Sequence, residues 1–226
     1  MASEYDPGAG ALDDPLPAEP FTLLAAWLAE AFAKRVQPNP HAVALATADT
    51  EGRPSVRLVL CKALEPERGA FVFFTNRDSR KGRELAARPW AAAVFHWDAL
   101  DRQARLEGPV TPVSDADADA YFATRPAEAQ LGAWASAQSA PIASRRALEE
   151  ALAATARRFG VSPDPVAPAA IPRPPHWGGY RLSADCVELW VGRRGRLHDR
   201  ARWGRDLGPR PGAAGPGPWR CDRLQP

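Results

Sequence analysis

Four stretches of this chain group side chains that could bind anions or titrate near neutral pH. The first is Arg57-Leu-Val-Leu-Cys-Lys62, an apolar run with a cation at each end. On an extended strand the faces alternate, so Val56, Leu58 and Leu60 share one face with Lys62 and Arg57 takes the other. Two cations so placed can meet anionic groups at different depths, or be solvated strand ends; the spacing does not choose. The second is Thr75-Asn-Arg-Asp-Ser79-Arg80-Lys81, where an apolar strand runs into a polar turn and a helix start. Free N–H groups and the dipole at a helix N-terminus attract anions, and Ser79, Arg80 and Lys81 add a hydroxyl and two cations. A phosphate site and an ordinary capped helix both fit, and the glycines of a Walker loop or dinucleotide fingerprint are absent.

The third stretch is Arg196-Leu-His198-Asp-Arg200. Read as a strand, it puts two fixed charges and one titratable ring on one face, which is either a site or a solvated surface. The fourth is Trp134-Ala-Ser-Ala-Gln138-Ser139 together with Trp177-Gly-Gly-Tyr180 and Glu188-Leu-Trp190, whose aromatics read as core residues. His41, His96 and His176 stand in no comparable setting.

The elements that must position these groups follow from pattern. Residues 1–20 are rich in Pro, Asp, Gly and Ala and read as a disordered or loosely attached segment. Residues 21–226 read as a single domain. Residues 21–35 suit a helix with Leu24, Leu28, Ala31 and Phe32 on one stripe. Strands are expected over 43–48, 55–64, 70–75, 90–97 and 103–110, with turns at Asp49–Gly52 and Pro66–Gly69. Ser79–Arg88 reads as a short helix. Ser114 and Ser144 can cap helices over 115–124 and 145–159. Residues 161–175 are Pro-rich and extended. Strands over 180–191 and 196–205 flank a tight Gly192–Gly195 turn, residues 207–218 form a Pro/Gly loop, and 219–224 form a last strand. Many short strands with a helical insertion suggest a barrel-like α+β domain.

Composition narrows the class. The net charge of +2 over 226 residues gives no sign of a nucleic-acid binder. Of 29 basic residues only Lys34, Lys62 and Lys81 are lysines. An Arg-, Ala- and Pro-rich chain suggests a GC-rich genome, which makes Lys62 and Lys81 more informative than any one arginine. Cys61, Cys186 and Cys221 lie far apart with no CxxC pair, so neither a metal site nor a disulfide framework is indicated. No apolar run is long enough for a membrane span, and no signal peptide is visible; a cytoplasmic location is the default expectation.

Taken in order, RLVLCK, FFTN followed by SRKGREL, DRQARLEG, YFATRP, QLGAWAS-QS, HWGGYRL, RLHDR and the terminal DRLQP resemble the pyridoxine/pyridoxamine 5′-phosphate oxidase family, from about residue 36 to 226. The resemblance implies an FMN-binding split β-barrel with flanking helices, α+β in class, working as a homodimer with two FMN molecules at the subunit interface. It implies FMN contacts from Arg57, Leu58, Val59, Leu60, Cys61, Lys62, Phe74, Thr75, Arg80, Lys81 and Gln103. Gln138, Ser139, Trp190 and Arg200 would reach the flavin from the other subunit. Lys62, Tyr121 and Arg125 would surround the substrate phosphate. Arg196 and His198 would lie over the pyridine ring as the catalytic pair. The implied reaction takes a hydride from the substrate's 4′ carbon to the flavin, and O2 reoxidises the flavin to give hydrogen peroxide. The products are pyridoxal 5′-phosphate and, from the amine, ammonia.

Three positions depart from the family pattern. Where RPRxSQ is usual the chain reads Arg125-Pro-Ala127-Glu-Ala129-Gln130, so Ala129 replaces a serine expected at the substrate phosphate and Ala127 replaces an arginine. Val191 stands where a glutamine commonly follows Trp190. The flavin motifs are intact and the substrate clamp is thinned. A paralogous flavin oxidase acting on another aromatic substrate, such as a phenazine-type precursor, is therefore a second reading. A non-catalytic flavin- or haem-binding module is a third, against which the RLHDR group speaks.

Overall fold

The computed structural model of the protein describes residues 10–161, 171–208 and 216–226. In chain order its elements are α1 (Phe21–Ala33), β1 (Ala42–Ala48), β2 (Pro54–Leu60), β3 (Ala63–Glu65), β4 (Ala70–Asn76), α2 (Arg80–Ala87), β5 (Trp90–Trp97), β6 (Arg102–Pro112), α3 (Asp115–Ala123), α4 (Ala127–Ala135), α5 (Arg145–Phe159), β7 (Trp177–Ser183), β8 (Cys186–Val191), β9 (Asp199–Gly204) and β10 (Arg220–Arg223). All strand pairs are antiparallel.

The sheet closes on itself by letting two strands change partners. β2 pairs with β1 up to Leu60. There the Cys61 N–H donates back to His41 O on the β1 side, and the next N–H, of Lys62, donates to Val72 O on β4. The run expected as one strand over 55–64 is therefore two. β6 makes the second switch: Arg102–Glu107 pairs with β8, and Val110–Pro112 pairs with β7. Gly108 stands at that crossover, where a Cβ would lie 2.0 Å from Ser183 O, so only glycine lets the chains approach. The ring β6-β5-β1-β2/β3-β4-β7-β6 is a split barrel, and β8, β9 and β10 extend it outward from β6.

The interior follows from period-2 alternation. Val43, Leu45, Phe71, Phe73, Phe95, Trp97, Leu106, Leu182 and Leu189 point inward and are buried. Phe95 stacks on Trp97, with ring centroids 5.5 Å apart. Fully burying side chains of this size contributes about 1.5–3 kcal/mol each. α1 covers one end of the barrel with Phe21, Leu24, Trp27 and Ala31; Phe32, expected on that stripe, is instead exposed and stacks on His41. A smaller cluster of Phe122, Leu131, Ala156, Ile171 and Trp177 holds α3, α4 and α5 together. No helix among the described residues is long and apolar enough to cross a membrane.

Four further expectations need correction. Of residues 1–20, 1–9 lie outside the described residues, but 10–20 are not loose: Leu12 is buried, its N–H donates to Asp199 Oδ2 at 3.1 Å, and Trp203 Nε1 donates to Pro17 O at 2.8 Å. The strand expected over 180–191 is broken at Ala184–Asp185, where the N–H groups turn to Gly69 O and Glu107 O. The strand expected to start at Arg196 begins only at Asp199. Arg194–Arg196 is a 3₁₀ turn with Gly195 and Arg196 both at positive φ, so Arg196, His198 and Arg200 do not alternate on one strand face. Finally, α4 was not foreseen as a separate helix. The Pro-rich stretch over 161–175 and the loop over 207–218 fall partly outside the described residues.

Candidate functional site

β2 carries Ser55, Arg57 and Val59 inward while Val56 and Leu58 face out. Arg57 thereby meets α2, whose first turn is held down at two points. Ser79 Oγ accepts from the Gly82 N–H and donates to Asn76 O at 2.6 Å. A Cβ on Gly82 would lie 2.0 Å from Arg77 O, so the helix packs on the preceding turn as only glycine permits. This arrangement sends Lys81 inward, where its Nζ donates to Gln138 Oε1 at 2.8 Å, Thr75 Oγ1 at 3.0 Å and Ser79 Oγ at 3.3 Å. Burial, with the nearby Arg57 charge, brings the Lys81 ammonium down to about 8, against a smaller opposing pull from Glu84. Arg80 Nε and Arg57 Nη2 both donate to Glu84, at 2.8 and 3.1 Å. Burial alone would raise the Glu84 carboxyl, but hydrogen bonds from Ser55, Thr47, Arg80 and Arg57 outweigh it and bring it to about 2.

A cavity of about 500 Å³ opens here, lined by Ser55 to Val59, Phe74, Thr75, Arg80, Lys81, Gln138 and Ser139. Arg57, Arg80 and Lys81 against the single carboxylate of Glu84 leave two positive charges, which matches a phosphate dianion. Leu58, Val59 and Phe74 give the same cavity an apolar wall. The donor set therefore fits FMN, with its terminal phosphate toward the cations.

A second cavity of about 570 Å³ adjoins it and shares Phe74, Thr75 and Gln138. Its wall is a stack of parallel rings: Phe74 lies 4.1 Å from Tyr121 and 5.3 Å from Trp177, and the Arg125 guanidinium sits 4.8 Å over Trp177. Lys62, Tyr121 and Arg125 line it together. Arg125 Nη1 is buried with no hydrogen-bond partner among the described residues, and burial disfavours its charge. An unpaired buried donor on a cation is costly unless an acceptor meets it. Ala129 also lines this cavity, beside Gly132, Ala133 and Ser136 of the same helical region. Ala127 does not; it packs against the cluster around Phe122.

The remaining expected site residues lie elsewhere. Cys61 is in the core, its thiol pushed up to about 12 by burial. Gln103, Trp190 and Arg200 sit directly opposite one another on β6, β8 and β9, so they form one outward-facing row. Arg200 is clamped by Glu188 Oε1, which accepts from its Nε and Nη2 at 3.0 and 2.8 Å, and its Nη1 donates to Gln225 O at 3.0 Å. His198 lies 4.7 Å from the Trp190 ring and accepts from the Arg193 N–H at Nδ1. Five strand steps separate β2 from β9 in the sheet. Within one chain Arg200 is held by Glu188 and Gln225 and lines neither cavity. Gln138 and Ser139 behave oppositely. They were expected to serve the neighbouring subunit, yet here they line the cavity of their own chain and Gln138 bonds its Lys81.

Pattern reading missed Trp177, Asn76, Thr124 and Ser136 as lining residues. Trp177 lies within HWGGYRL, where its aromatic character pointed only to the core. It also missed Glu84, whose partners come from β1, β2 and α2.

Comparison with known proteins gives a consistent picture. The family signature described as "Pyridoxamine 5'-phosphate oxidase" matches residues 28–157. A second, described as "Pyridoxine 5'-phosphate oxidase C-terminal dimerisation region", matches residues 177–226. The pyridoxine/pyridoxamine 5′-phosphate oxidase of Rhodopseudomonas palustris (strain HaA2) is 50% identical over 208 residues, covering 92% of this chain and 90% of that one. The enzyme of the same name from Nitrobacter hamburgensis is 51% identical over 209 residues, with the same coverage. Among solved structures, PhzG from Burkholderia lata 383, in complex with tetrahydrophenazine-1-carboxylic acid, superposes with a TM-score of 0.80 at 34% identity, over 96% of this chain and all of that one.

Proposed function

The chain belongs to the pyridoxamine 5′-phosphate oxidase family, and from that premise we propose that it oxidises pyridoxamine or pyridoxine 5′-phosphate to pyridoxal 5′-phosphate. It is an FMN-dependent oxidase; O2 is the proposed acceptor and hydrogen peroxide the by-product. One observation carries the substrate reading: two cavities share the Phe74 wall, and each has its own cationic end. Arg57, Arg80 and Lys81 suit the phosphate of FMN. Lys62, Tyr121 and Arg125, with the unpaired Arg125 Nη1, suit a second phosphate on an aromatic substrate.

Bound FMN supplies the redox chemistry, accepting a hydride that O2 then removes. This chain's residues bind and orient. Lys62 and Arg125 hold the substrate phosphate by charge-assisted hydrogen bonds, and the Tyr121 hydroxyl donates a further one. The ring stack of Tyr121, Phe74 and Trp177 keeps water from one side of the cavity. Arg196 and His198 position the pyridine ring and its reacting carbon. Gln103, Trp190 and Arg200 contact the flavin.

In this reading Gln103, Arg196, His198, Trp190 and Arg200, none of which lines a cavity of its own chain, do so from a second copy, and the working unit is a homodimer. The outward face of the sheet supports it. Leu58–Ala44–Val94–Arg105–Glu188 runs across five strands as one row, with Val56–Ala46–Ala92 beside it. Val56 and Leu58 are 69% and 71% exposed. An outward face that is apolar across β2, β1 and β5 and continues through the Arg105–Glu188 ion pair to the Trp190–Arg200 row is what a two-fold interface would cover. Gln138 and Ser139 then act on their own chain's cavity.

The test is turnover of both B6 phosphates by FMN-saturated protein, read as peroxide release. Ala129, which leaves the second cavity without a hydroxyl at that point, favours a second reading: an FMN oxidase of another aromatic substrate, of the phenazine type that PhzG was solved with. Flavin binding without turnover of either B6 phosphate would make that the better reading.

A further inference from the structure

A buried carboxylate beside an anion site is at first sight misplaced, because its charge repels the ligand that the site attracts. Glu84 is such a group. Its side chain is 5% exposed. It sits on α2 one turn after Arg80 and takes Arg80 Nε on Oε1 at 2.8 Å. Its Oε2 accepts from Ser55 Oγ at 2.7 Å, from Arg57 Nη2 at 3.1 Å and from Thr47 Oγ1. One carboxylate thus ties β1, β2 and α2 at the point where the FMN cavity needs its cations.

We propose that Glu84 is the positioning residue for the phosphate end of the FMN site, holding Arg57 and Arg80 in place before the cofactor arrives. This rests on the FMN reading above. Without Glu84, Arg57, Arg80 and Lys81 would be three like charges around one small cavity, Arg57 would lose one of its partners and Arg80 would swing into solvent. With it, Arg57 is fixed from several sides, its Nη1 also donating to Leu45 O at 3.1 Å and to Thr47 Oγ1 at 2.5 Å. Arg80 is more than half exposed and has Glu84 as its anchor. A side chain already ordered loses less freedom when the ligand binds. The gain in order offsets the loss in Coulombic attraction, and the two effects predict opposite signs when Glu84 is neutralised.

The experiment uses the full chain, stripped of flavin, and compares Glu84→Gln and Glu84→Ala with the unaltered protein. Dissociation constants for FMN and for riboflavin are read by flavin fluorescence. Riboflavin shares the ring and lacks the phosphate. If Glu84 positions the cations, Glu84→Gln weakens FMN about tenfold and Glu84→Ala more, while riboflavin changes less than twofold. Equal weakening of both flavins would mean a structural role and overturn the proposal. So would unchanged FMN binding, or the tighter binding expected if only net charge mattered. Should Glu84→Gln fail to fold, Glu84→Asp keeps the charge but shortens the reach. It is expected to weaken FMN several-fold with riboflavin unmoved, and an equal effect on both would again overturn the proposal. If the unaltered protein binds riboflavin as tightly as FMN, the phosphate reading of the cavity itself fails, which is a distinct result and takes the proposal with it.

Discussion

The cation cavity beside α2 and the outward row on β6, β8 and β9 are assembled in opposite ways. In the cavity, Arg57 and Arg80 bond Glu84 while Lys81 bonds Gln138, Thr75 and Ser79, all within one chain. In the row, Gln103, Trp190 and Arg200 are aligned by strand register, Arg200 is held by Glu188 and Gln225, and none of the three lines either cavity. In the function proposed above, each region is half of a site. The first would supply binding without catalysis, and the second would supply ring contacts with nothing of its own to hold. Damage to the two halves should therefore look different.

The largest difference should appear at Arg196. Arg196→Ala is expected to cut turnover about a hundredfold, the scale of a misplaced reacting centre, while FMN content stays at the unaltered level. Equal loss of both would place Arg196 with the cofactor and erase the contrast. At the cavity, Lys81→Met should do the reverse. It removes a charged donor, so FMN affinity should drop roughly ten- to hundredfold, and saturating FMN should restore most turnover.

Ala129 tests the substrate end. A serine there would add one hydrogen bond to a charged group, worth roughly 1.5–3 kcal/mol net, less what a bridging water already recovers. Ala129→Ser should lower the KM for pyridoxamine 5′-phosphate roughly three- to thirtyfold on FMN-saturated enzyme. An unphosphorylated aromatic substrate should not respond. No change for the phosphate ester would show that Lys62, Tyr121 and Arg125 complete the clamp alone.

The smallest effect is on pH. Lys81 in the free protein loses its proton as pH rises through about 8, while a bound phosphate, already a dianion above about pH 6, would keep that proton on. The complex then holds more protons than the free protein, so FMN affinity should fall above pH 8, by several-fold at pH 9. Titration of affinity in Lys81→Arg should be flat over the same range. A fall that persists in this variant would locate the titrating group elsewhere.

Much of this was legible in the sequence because it is local. Ser79, Ser114 and Ser144 cap the helices expected there, the strands over 43–48 and 90–97 follow their alternation, and the apolar run over 70–75 is a strand buried on both faces. What failed was non-local. Cys61 and Lys62 look like mid-strand residues, because a change of partner leaves no mark on the pattern of a single strand. Ala184–Asp185 was hidden for the same reason, its N–H groups being satisfied by Gly69 and Glu107. Arg196 and His198 seemed to alternate on a strand until Gly195, at φ 68°, turned the chain. α4 is Ala-rich with little polar contrast between its faces, so periodicity could not announce it. The site residues were found as motif positions, but which of them meet within one chain is a matter of register and sheet order.

The central claim is that a complete site takes the cavity of one chain and the outward row of another. Subunit exchange tests it most directly. Lys81→Met and Arg200→Ala homodimers each carry a fault in both sites. Mixed dimers carry both faults in one site and none in the other. With random exchange, half of the dimers are mixed, so about a quarter of all sites should be intact. At limiting FMN, activity of the mixture should rise from near that of either parent toward a quarter of the unaltered level. Activity that stays at the mean of the two parents after demonstrated exchange would contradict the shared site.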